Sequence, residues 1–577
     1  MFNSPPINSW SGLAPQPTMR YRTREIPFIN DPRRNKINAY KTPKAFEFSK
    51  AAMRDLSFID RILFERFGQG PAITPPHDCM HHAFEKHAAT QPEAVAVQHL
   101  DDAITFRQLN RQANRLADQL AQYGVKTGDN VAIFLQRSIP MVVGIMAALK
   151  VGAAYVPQHL GVAPEGHLKY VLDIAKIDVI LTLSDLQHLL PAEHGRIAIA
   201  IDEMMAVPFT DEDEFVEPFM PATAVTPKHT CYIIFTSGTT GHPNGVQVTH
   251  GNAANLLLTT PGNLGIRPGM KVGQILNIAF DMAAWEILGA LANGATLVIR
   301  NKDFMDVVSQ VDVLISTPSI LSSFDTKQAH NIKIVAVAGE PCPRPLADKW
   351  ASFCTFYNSC GPTEVTIVNT AEIHYPWKEK LTIGKPTPNN TVYILNADLQ
   401  PCAIGEVGEM WAGGDCVSAG YIGNELLTNE RYLPDPFLGN GRLMFRTRDL
   451  GRWTQDGELE HYGRTDDQVK VRGFRVELDS VSAVLESVPN CKRAAALKLD
   501  NRHLVGFVSP KTVDTEAAIE AVAAALPYYA TPKFVIALTE LPITSRGKID
   551  KRTLMELAIT HNKKAQTQSA LLEVVQC

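Results

Sequence analysis

Short apolar runs recur through the middle of the chain, at 131–135, 179–183, 231–235, 296–299, 311–315 and 334–337. They are rich in Val, Ile and Leu with few polar interruptions, the pattern of strands buried on both faces. Helix-like stretches of about ten residues or more lie between several of them. That alternation predicts an α/β fold with largely parallel strands covered by helices. The longest apolar stretch, 139–149, is about half of what spans a bilayer and predicts a buried helix. Beyond Gly463 a smaller unit begins, with strand and helix signals of its own.

The ends of the chain read differently. Residues 1–50 are rich in Pro, Asn, Arg and Lys with little apolar periodicity, and are expected to form a flexible extension. Leu56, Ile59, Ile62, Leu63 and Phe67 then recur at helical spacing, followed by Gly68-Gln69-Gly70 and a Pro-rich link from Pro71 to Pro76. The expected organisation is a linker helix and link at 51–76, a large domain at 77–465, a small domain at 466–560 and a tail at 561–577. No solenoid repeat is present.

Composition narrows the class. A chain of 577 residues exceeds one compact core and suggests about three to four domain-sized units. With 45% hydrophobic and 20% charged residues it reads as a soluble globular enzyme. A formal charge of −5 gives no basic excess, so neither nucleic acid nor a membrane surface is expected as a partner. The start Met1-Phe2-Asn3-Ser4-Pro5-Pro6 lacks the features of a signal peptide. Nine cysteines without a CxxC pair or metal-ligand spacing suit reduced thiols, so a cytoplasmic location is expected, and the chain is expected to be a monomer. Cys577 ends the chain, leaving no prenylation box.

The strongest local signal is Thr236-Ser237-Gly238-Thr239-Thr240-Gly241-His242-Pro243-Asn244-Gly245, directly after Tyr232-Ile233-Ile234-Phe235. A buried strand feeding a loop of Gly, Ser and Thr gathers backbone N–H groups and hydroxyls at one concave place. Such donors suit phosphate oxygens, and glycine permits close approach. It is not a Walker A loop, which needs GxxxxGK[ST]. An ordinary surface turn is the bland alternative. The segment resembles the phosphate-binding signature of the ANL superfamily, which comprises acyl- and aryl-CoA ligases, adenylation domains and luciferases. That family usually has lysine where this chain has Asn244, which donates a hydrogen bond but cannot neutralise phosphate charge.

Other blocks resemble the same family in the same order, across roughly four-fifths of the chain. Leu149-Lys150-Val151-Gly152-Ala153-Ala154-Tyr155-Val156-Pro157 is similar to an early structural block. Asn358-Ser359-Cys360-Gly361-Pro362-Thr363-Glu364 resembles the adenine and metal loop. Glu364 can hold Mg²⁺ against a triphosphate, and Thr363 can donate to the α-phosphate or the substrate carboxylate. The family commonly has an aromatic residue at the Cys360 position. Phe445-Arg446-Thr447-Arg448-Asp449-Leu450 resembles the ribose block, where Asp449 suits two ribose hydroxyls and Arg448 replaces the usual glycine. In 463–477 the resemblance implies that Arg464 reaches the nucleotide and that Asp466 is the hinge to a small, mobile C-terminal α+β domain. Pro542-Ile543-Thr544-Ser545-Arg546-Gly547-Lys548-Ile549-Asp550-Lys551 resembles the catalytic-lysine loop, with Lys548 delivered beside Gly547.

Phe280-Asp281-Met282-Ala283-Ala284-Trp285-Glu286 resembles the block of nonribosomal-peptide-synthetase adenylation domains whose aspartate binds the substrate's α-ammonium. Asp281 in an apolar setting is otherwise a costly unpaired charge; a helix N-cap is its alternative reading. Family pocket positions fall on Met282, Trp285, Ser316, Ala336, Ala338, Ser359, Ile367 and Val368. None is charged, which implies a large apolar or aromatic amino acid.

The resemblance implies attack of the amino acid's carboxylate on the α-phosphorus of Mg·ATP, giving aminoacyl-AMP and pyrophosphate. Transfer to the phosphopantetheine thiol of a carrier protein follows, the carrier being separate or on an adjoining domain. Two alternatives stand beside this: an acid–CoA ligase, disfavoured by Asp281, and a nucleotide-binding pseudoenzyme, suggested by Asn244, Cys360 and Arg448. If the missing lysine limits pyrophosphate handling, Asn244→Lys raises the rate of pyrophosphate exchange; an unchanged rate shows that the position contributes little.

Overall fold

The structure, a computed structural model, describes residues 48–53, 55–192, 196–209, 219–238, 242–543 and 549–575, with side chains through residue 563. The apolar runs form strands of two sheets. One has six strands, in the order Ile197–Ala200, Val179–Thr182, Asn130–Leu135, Ala154–His159, Thr230–Thr236 and Asn244–Thr249. The other has nine, with Thr296–Ile299, Lys271–Gln274, Val313–Ser316, Ile334–Val337 and Thr355–Cys360 side by side and parallel. Asn130–Leu135 is flanked by parallel partners on both sides and is buried at every position after the first. Its sequence therefore shows a continuous apolar run and no alternation.

Helices fill the space against these sheets. The predicted buried helix is Ile139–Val151, buried from Met141 onward. Ser138 caps it by accepting from Met141 N at 3.3 Å, and Gly152 ends it in the left-handed conformation at φ +86°. A Cβ at Gly152 would lie 2.5 Å from Thr127 Oγ1, so both the turn and the close approach require glycine. Asp281–Ala292 is buried just as fully, from Met282 to its end.

A third sheet, of Asn390–Leu395, Gly408–Gly414, Tyr432–Pro434, Leu443–Trp453 and Leu459–Arg464, is antiparallel. The helix Phe58–Phe67 packs on it through Phe64, which is fully buried among Phe48, Tyr393 and Phe437. The apolar face read from sequence is partly displaced: Ile59 and Ile62 are exposed, and Phe64 carries the burial. The helix is held by Phe64 and by Phe67, which packs against Trp453, rather than by a full apolar stripe. Of the expected extension 1–50, only residues 48–50 are described.

The chain then enters a hairpin, Gln468–Val471 with Phe474–Glu477. Next come the helix Leu478–Glu486, a three-stranded sheet (Arg493–Lys498, Leu504–Ser509, Val535–Ala537), and the helices Thr515–Ala525 and Lys551–Val575. This part has its own core around Val481, Leu485, Val508 and Val522. The architecture is a large N-terminal α/β domain followed by a small α+β domain. Among the described residues, no helix is long and apolar enough to cross a membrane.

Candidate active site

The parallel strands of both sheets release their chains toward one cavity of about 930 Å³. Its lining includes Thr236, Ser237, Asn277, Thr317, Ala338 and Gly361, each in a segment at or just beyond a strand's carboxyl end. Crevices of this kind are the usual ligand sites of open α/β sheets. The small domain closes the other side with Gln468, Lys470, Gly473, Phe474 and Arg475.

The phosphate-loop segment is engaged by the small domain. Thr236 Oγ1 donates to Asn244 O at 3.3 Å, across the antiparallel pair that frames the loop. Ser237 Oγ donates to Arg475 O at 3.1 Å, and Ser480 Oγ donates to Gly238 O. Asn244 Oδ1 accepts from Asn424 Nδ2 at 3.3 Å. Thr239, Thr240 and Gly241 lie outside the described residues, as does Lys548. The flanking Ile543 and Ile549 bridge to each other, and neither lines the cavity.

Asn358, Ser359, Cys360 and Thr363 reach the cavity from the end of Thr355–Cys360 and the turn after it. Asn358 Nδ2 donates to Thr382 O at 2.6 Å. Ser359 Oγ is 4% exposed and has no protein partner among the described residues. Burial pushes the Cys360 thiol up to about 12, with Asp449 adding to the rise, so it is a neutral thiol.

Glu364 is placed elsewhere. It is 1% exposed and does not line the cavity. Arg475 Nη1 lies 2.9 and 3.1 Å from its two oxygens, and Tyr421 Oη donates to it at 2.7 Å. Burial alone raises this carboxyl, but Arg475, Arg431 and the tyrosine outweigh it and hold the group down at about 2.

Charge alternates across the hinge region. Arg464 reaches Asp449 at 2.8 Å and Asp466 at 2.7 and 3.0 Å. His461 Nε2 is 3.3 Å from Asp449. Burial raises the Asp449 carboxyl, yet His461 and Arg464 hold it below the usual range. Arg448 takes φ +63°, the conformation that favours glycine, and its side chain contacts Glu430 at 2.9 Å and Asp466 at 3.6 Å.

Asp281 is the first residue of its helix, Phe280 is the cap position, and no side-chain cap bond forms there. Asp281 lines the cavity beside Thr363 and Met282. Burial raises its pKa, opposed by Thr363 and Lys470. Met282, Ala338, Ser359 and Ile367 share the cavity wall. Trp285, Ser316, Ala336 and Val368 are buried but do not line it; the Trp285 indole donates to Gly262 O at 2.7 Å and Ser316 Oγ to Thr317 O at 3.1 Å. The expected uncharged pocket is not what forms, because Arg137 and Arg300 line the same cavity.

Lys470 and Arg475 were not singled out in the sequence. They stand directly opposite each other in the hairpin and so project to one face. Arg472 and Gly473 turn the hairpin with φ +52° and +84°, as a two-residue turn requires. Lys470 is held below its usual value by burial first and by Arg475 second. Period-two alternation from Gln468 to Lys470 was the available signal, masked by a run of charges that also reads as a solvated hairpin.

Residues 84–422 match the family described as AMP-binding enzyme. The chain belongs to that family. This AMP-binding enzyme is 45% identical over 507 residues to Adenylate-forming reductase 06235 of Coprinopsis cinerea, covering 87% of this chain and 49% of that protein. It is 32% identical to Nonribosomal peptide synthetase sirP of Leptosphaeria maculans, covering 92% of this chain and 24% of that one. NpsA-ThdA, an artificially fused adenylation–PCP di-domain from Klebsiella oxytoca, superposes with a TM-score of 0.71 at 24% identity, over 80% of this chain and 93% of that one. At that identity the likeness shows the fold. The chain spans about half the length of the two adenylate-forming reductases that it matches.

The AMP-binding enzyme is thus an adenylate-forming enzyme of the ANL superfamily, whose reaction uses ATP with Mg²⁺. The cavity suits a nucleotide: Ser359 Oγ and Gln468 Oε1 are buried in its wall without partners among the described residues, and Asp449 offers carboxylate oxygens there. Magnesium on Glu364 does not fit this domain arrangement, because Arg475 occupies that carboxylate.

The Glu364–Arg475 pair makes a prediction with a definite sign. A carboxyl held at about 2 contributes stability above its ordinary value of 4.5 and loses it as pH falls from there. Arg475→Leu strands a buried carboxylate and is expected to cost about 3–5 kcal/mol at neutral pH. Protonation relieves the variant, whose stranded carboxyl is raised above 4.5, and weakens the wild type between 4.5 and about 2, so the gap between their thermal midpoints narrows as pH falls from neutral towards 2. A gap that stays constant with pH excludes the pair as a stabilising contact.

Proposed function

We propose that the chain adenylates the carboxylate of an amino acid and passes the acyl group to a phosphopantetheine thiol. The observation that carries this reading is Asp281: a carboxylate on the wall of an otherwise nucleotide-suited cavity, beside Thr363. A carboxylate raised by burial gains most from a cationic ligand, and the α-ammonium of an amino acid supplies one. Fatty and aryl acids give it no partner.

In the first half-reaction a carboxylate oxygen of the substrate attacks the α-phosphorus of ATP, and the bond to pyrophosphate breaks. The protein's share is alignment and charge stabilisation. Asp281 anchors the ammonium and Thr363 stands beside the reacting carboxylate. Asp449 accepts from the ribose hydroxyls, Arg464 reaches the nucleotide, and Ser237 with its loop receives phosphate oxygens. Lys548 supplies the cation at the α-phosphate when the small domain turns about Asp466. In the second half-reaction a thiolate sulfur attacks the acyl carbon and AMP leaves. The hairpin docked against the cavity here suits that second step, since Lys470 then faces the acyl adenylate.

Met282, Ala338 and Ile367 give the wall near Asp281 an apolar surface, which supports a sizeable side chain with an apolar stem. Two relatives named adenylate-forming reductases, each about twice as long as the matched region, support reduction as the later fate of the acyl group. A carrier that adjoins this unit or is supplied separately is consistent with the adenylation–PCP neighbour.

The test is ATP–pyrophosphate exchange over the twenty amino acids and a set of aryl acids. Amino-acid-dependent exchange is expected, with Lys548→Ala lowering it by about 10²–10³-fold. Asp281→Asn should lower kcat/KM by roughly 30-fold or more, as expected when a buried charge loses its partner. Exchange driven by aryl acids alone, CoA-thioester formation, or ATP binding without any exchange overturns the reading.

A further inference from the structure

One end of the cavity carries two cations that the reaction above does not use. Arg137 follows the strand Asn130–Leu135 and Arg300 follows Thr296–Ile299, so each stands at the carboxyl end of a parallel strand, one in each sheet. Arg137 donates from Nε to Leu276 O at 3.1 Å and from Nη2 to Ile275 O at 3.3 Å. Arg300 donates from Nε to Ile275 O at 2.9 Å and from Nη1 to Asn301 O at 3.0 Å, and it stacks on Phe304 at 4.2 Å. The carbonyl bonds use one edge of each guanidinium. Arg137 Nη1 and Arg300 Nη2 have no protein acceptor among the described residues, and neither arginine forms an ion pair there.

Their acidic neighbour is Glu286, and it is turned away. It is fully buried, and its oxygens accept from Ile275 N at 2.9 Å, Leu276 N at 3.2 and 3.3 Å, and Gln274 Nε2 at 3.1 Å. Burial pushes this carboxyl up to about 8, opposed by the Ile275 and Leu276 N–H groups and by Arg137. Burial first, and Arg300 second, push Arg137 down to about 10; burial lowers Arg300 as well. The two guanidiniums are displaced in the direction that an added negative charge would reverse. Glu286 acts on both guanidiniums through space, so one buried carboxyl stands against two cations at this end of the cavity.

Asp281 faces the same cavity, with Lys470 and Glu364 among its charged neighbours. The cavity wall carries both an anionic point and a pair of guanidiniums, with Met282 and Ile320 among the apolar residues that also line it. A ligand matching that pattern carries an ammonium, an apolar stem and a distal anion.

We propose that Arg137 and Arg300 hold a second anionic group of the acid substrate, so that the enzyme selects amino acids whose side chains end in a carboxylate. This rests on the amino-acid reading of Asp281 and refines it: the apolar wall packs methylenes, and the guanidiniums take the terminus. A planar fork matches a carboxylate better than a point charge does, which is why two arginines rather than lysines suit the role.

The experiment compares kcat/KM for pyrophosphate exchange on the full chain with L-glutamate against L-glutamine, which differ in one terminal group. Glutarate against butyrate provides a pair without the ammonium. Wild type should favour the second carboxylate by roughly tenfold or more in both pairs, since a site built for a polar group rejects the analogue lacking it. Arg300→Met should erase the preference through KM at little change in kcat, and Arg300→Lys should retain part of it. Thermal shift by glutarate, present in wild type and lost in Arg300→Met, reads the same contact without catalysis. A preference in the glutarate pair alone keeps the anion subsite and sinks the amino-acid reading. Equal use of glutamate and glutamine and of glutarate and butyrate overturns the subsite. So does an Arg300→Met variant impaired only in transfer to phosphopantetheine, which assigns the cations to the phosphate of the incoming arm.

Discussion

The guanidinium of Arg475 is the contact on which this arrangement of the molecule depends. It reaches from the small-domain hairpin to Glu364 of the large domain, in a place where both charges are nearly out of water. An ion pair so buried is not a net source of stability in proportion to its Coulomb energy, because desolvating both partners opposes it. Its consequence is selectivity of geometry. Once Glu364 is buried, any domain orientation that withdraws Arg475 must provide another cation or return the carboxylate to water. Ser237 and Ser480 add bonds across the same seam, so the hairpin docks in one register on the phosphate loop. The cavity owes its closed side to that docking.

Around this contact the charges form a chain rather than isolated pairs. Lys470 lies between Asp281 and Asp449, Arg464 joins Asp449 to Asp466, and Arg448 adds a second hold on Asp466. Each acid in the series except Asp281 is held below the usual carboxylate range by a cationic neighbour. Asp281 is the exception, raised by burial. Glu477 is raised by burial too, but it contacts Arg475 at 3.5 Å, whereas Asp281 faces the cavity, where a charged ligand can reach it.

The parts of the fold that could be read from sequence are those encoded by contiguous residues. Runs such as 131–135 and 334–337 show as buried strands because both their faces are covered, and the 139–149 stretch shows as a helix for the same reason. The motif blocks were legible because their glycines, hydroxyls and acids are adjacent in the chain. What stayed hidden were contacts that the fold creates. Arg475 meets a residue 111 positions away, and Arg137 meets backbone 138 and 139 positions away. A lone arginine beyond a strand has no local pattern that distinguishes a cavity wall from a solvated surface. The substrate pocket suffered similarly: alignment placed Trp285 and Ser316 in it, whereas their polar atoms bond nearby carbonyls.

The three departures from the family pattern acquire physical settings once neighbours are known. Asn244 trades a charge for a hydrogen bond with Asn424, which ties the far side of the phosphate loop to the turn that precedes Glu425–Arg431. Cys360 is a neutral thiol between Asp449 on one side and Lys470 and Arg464 on the other, so it adds no charge to a crowded electrostatic region. Arg448 accepts a strained backbone conformation and gains contacts with Glu430 and the hinge aspartate. Asn244 leaves the phosphate loop without the family's cation, Cys360 leaves the charge count unchanged, and Arg448 adds a cation beside the hinge. The changes therefore act on how firmly the loop and hinge are held. The residues that face the cavity, Asp281, Thr363, Asp449 and Arg464, keep the charges that an acyl adenylate calls for.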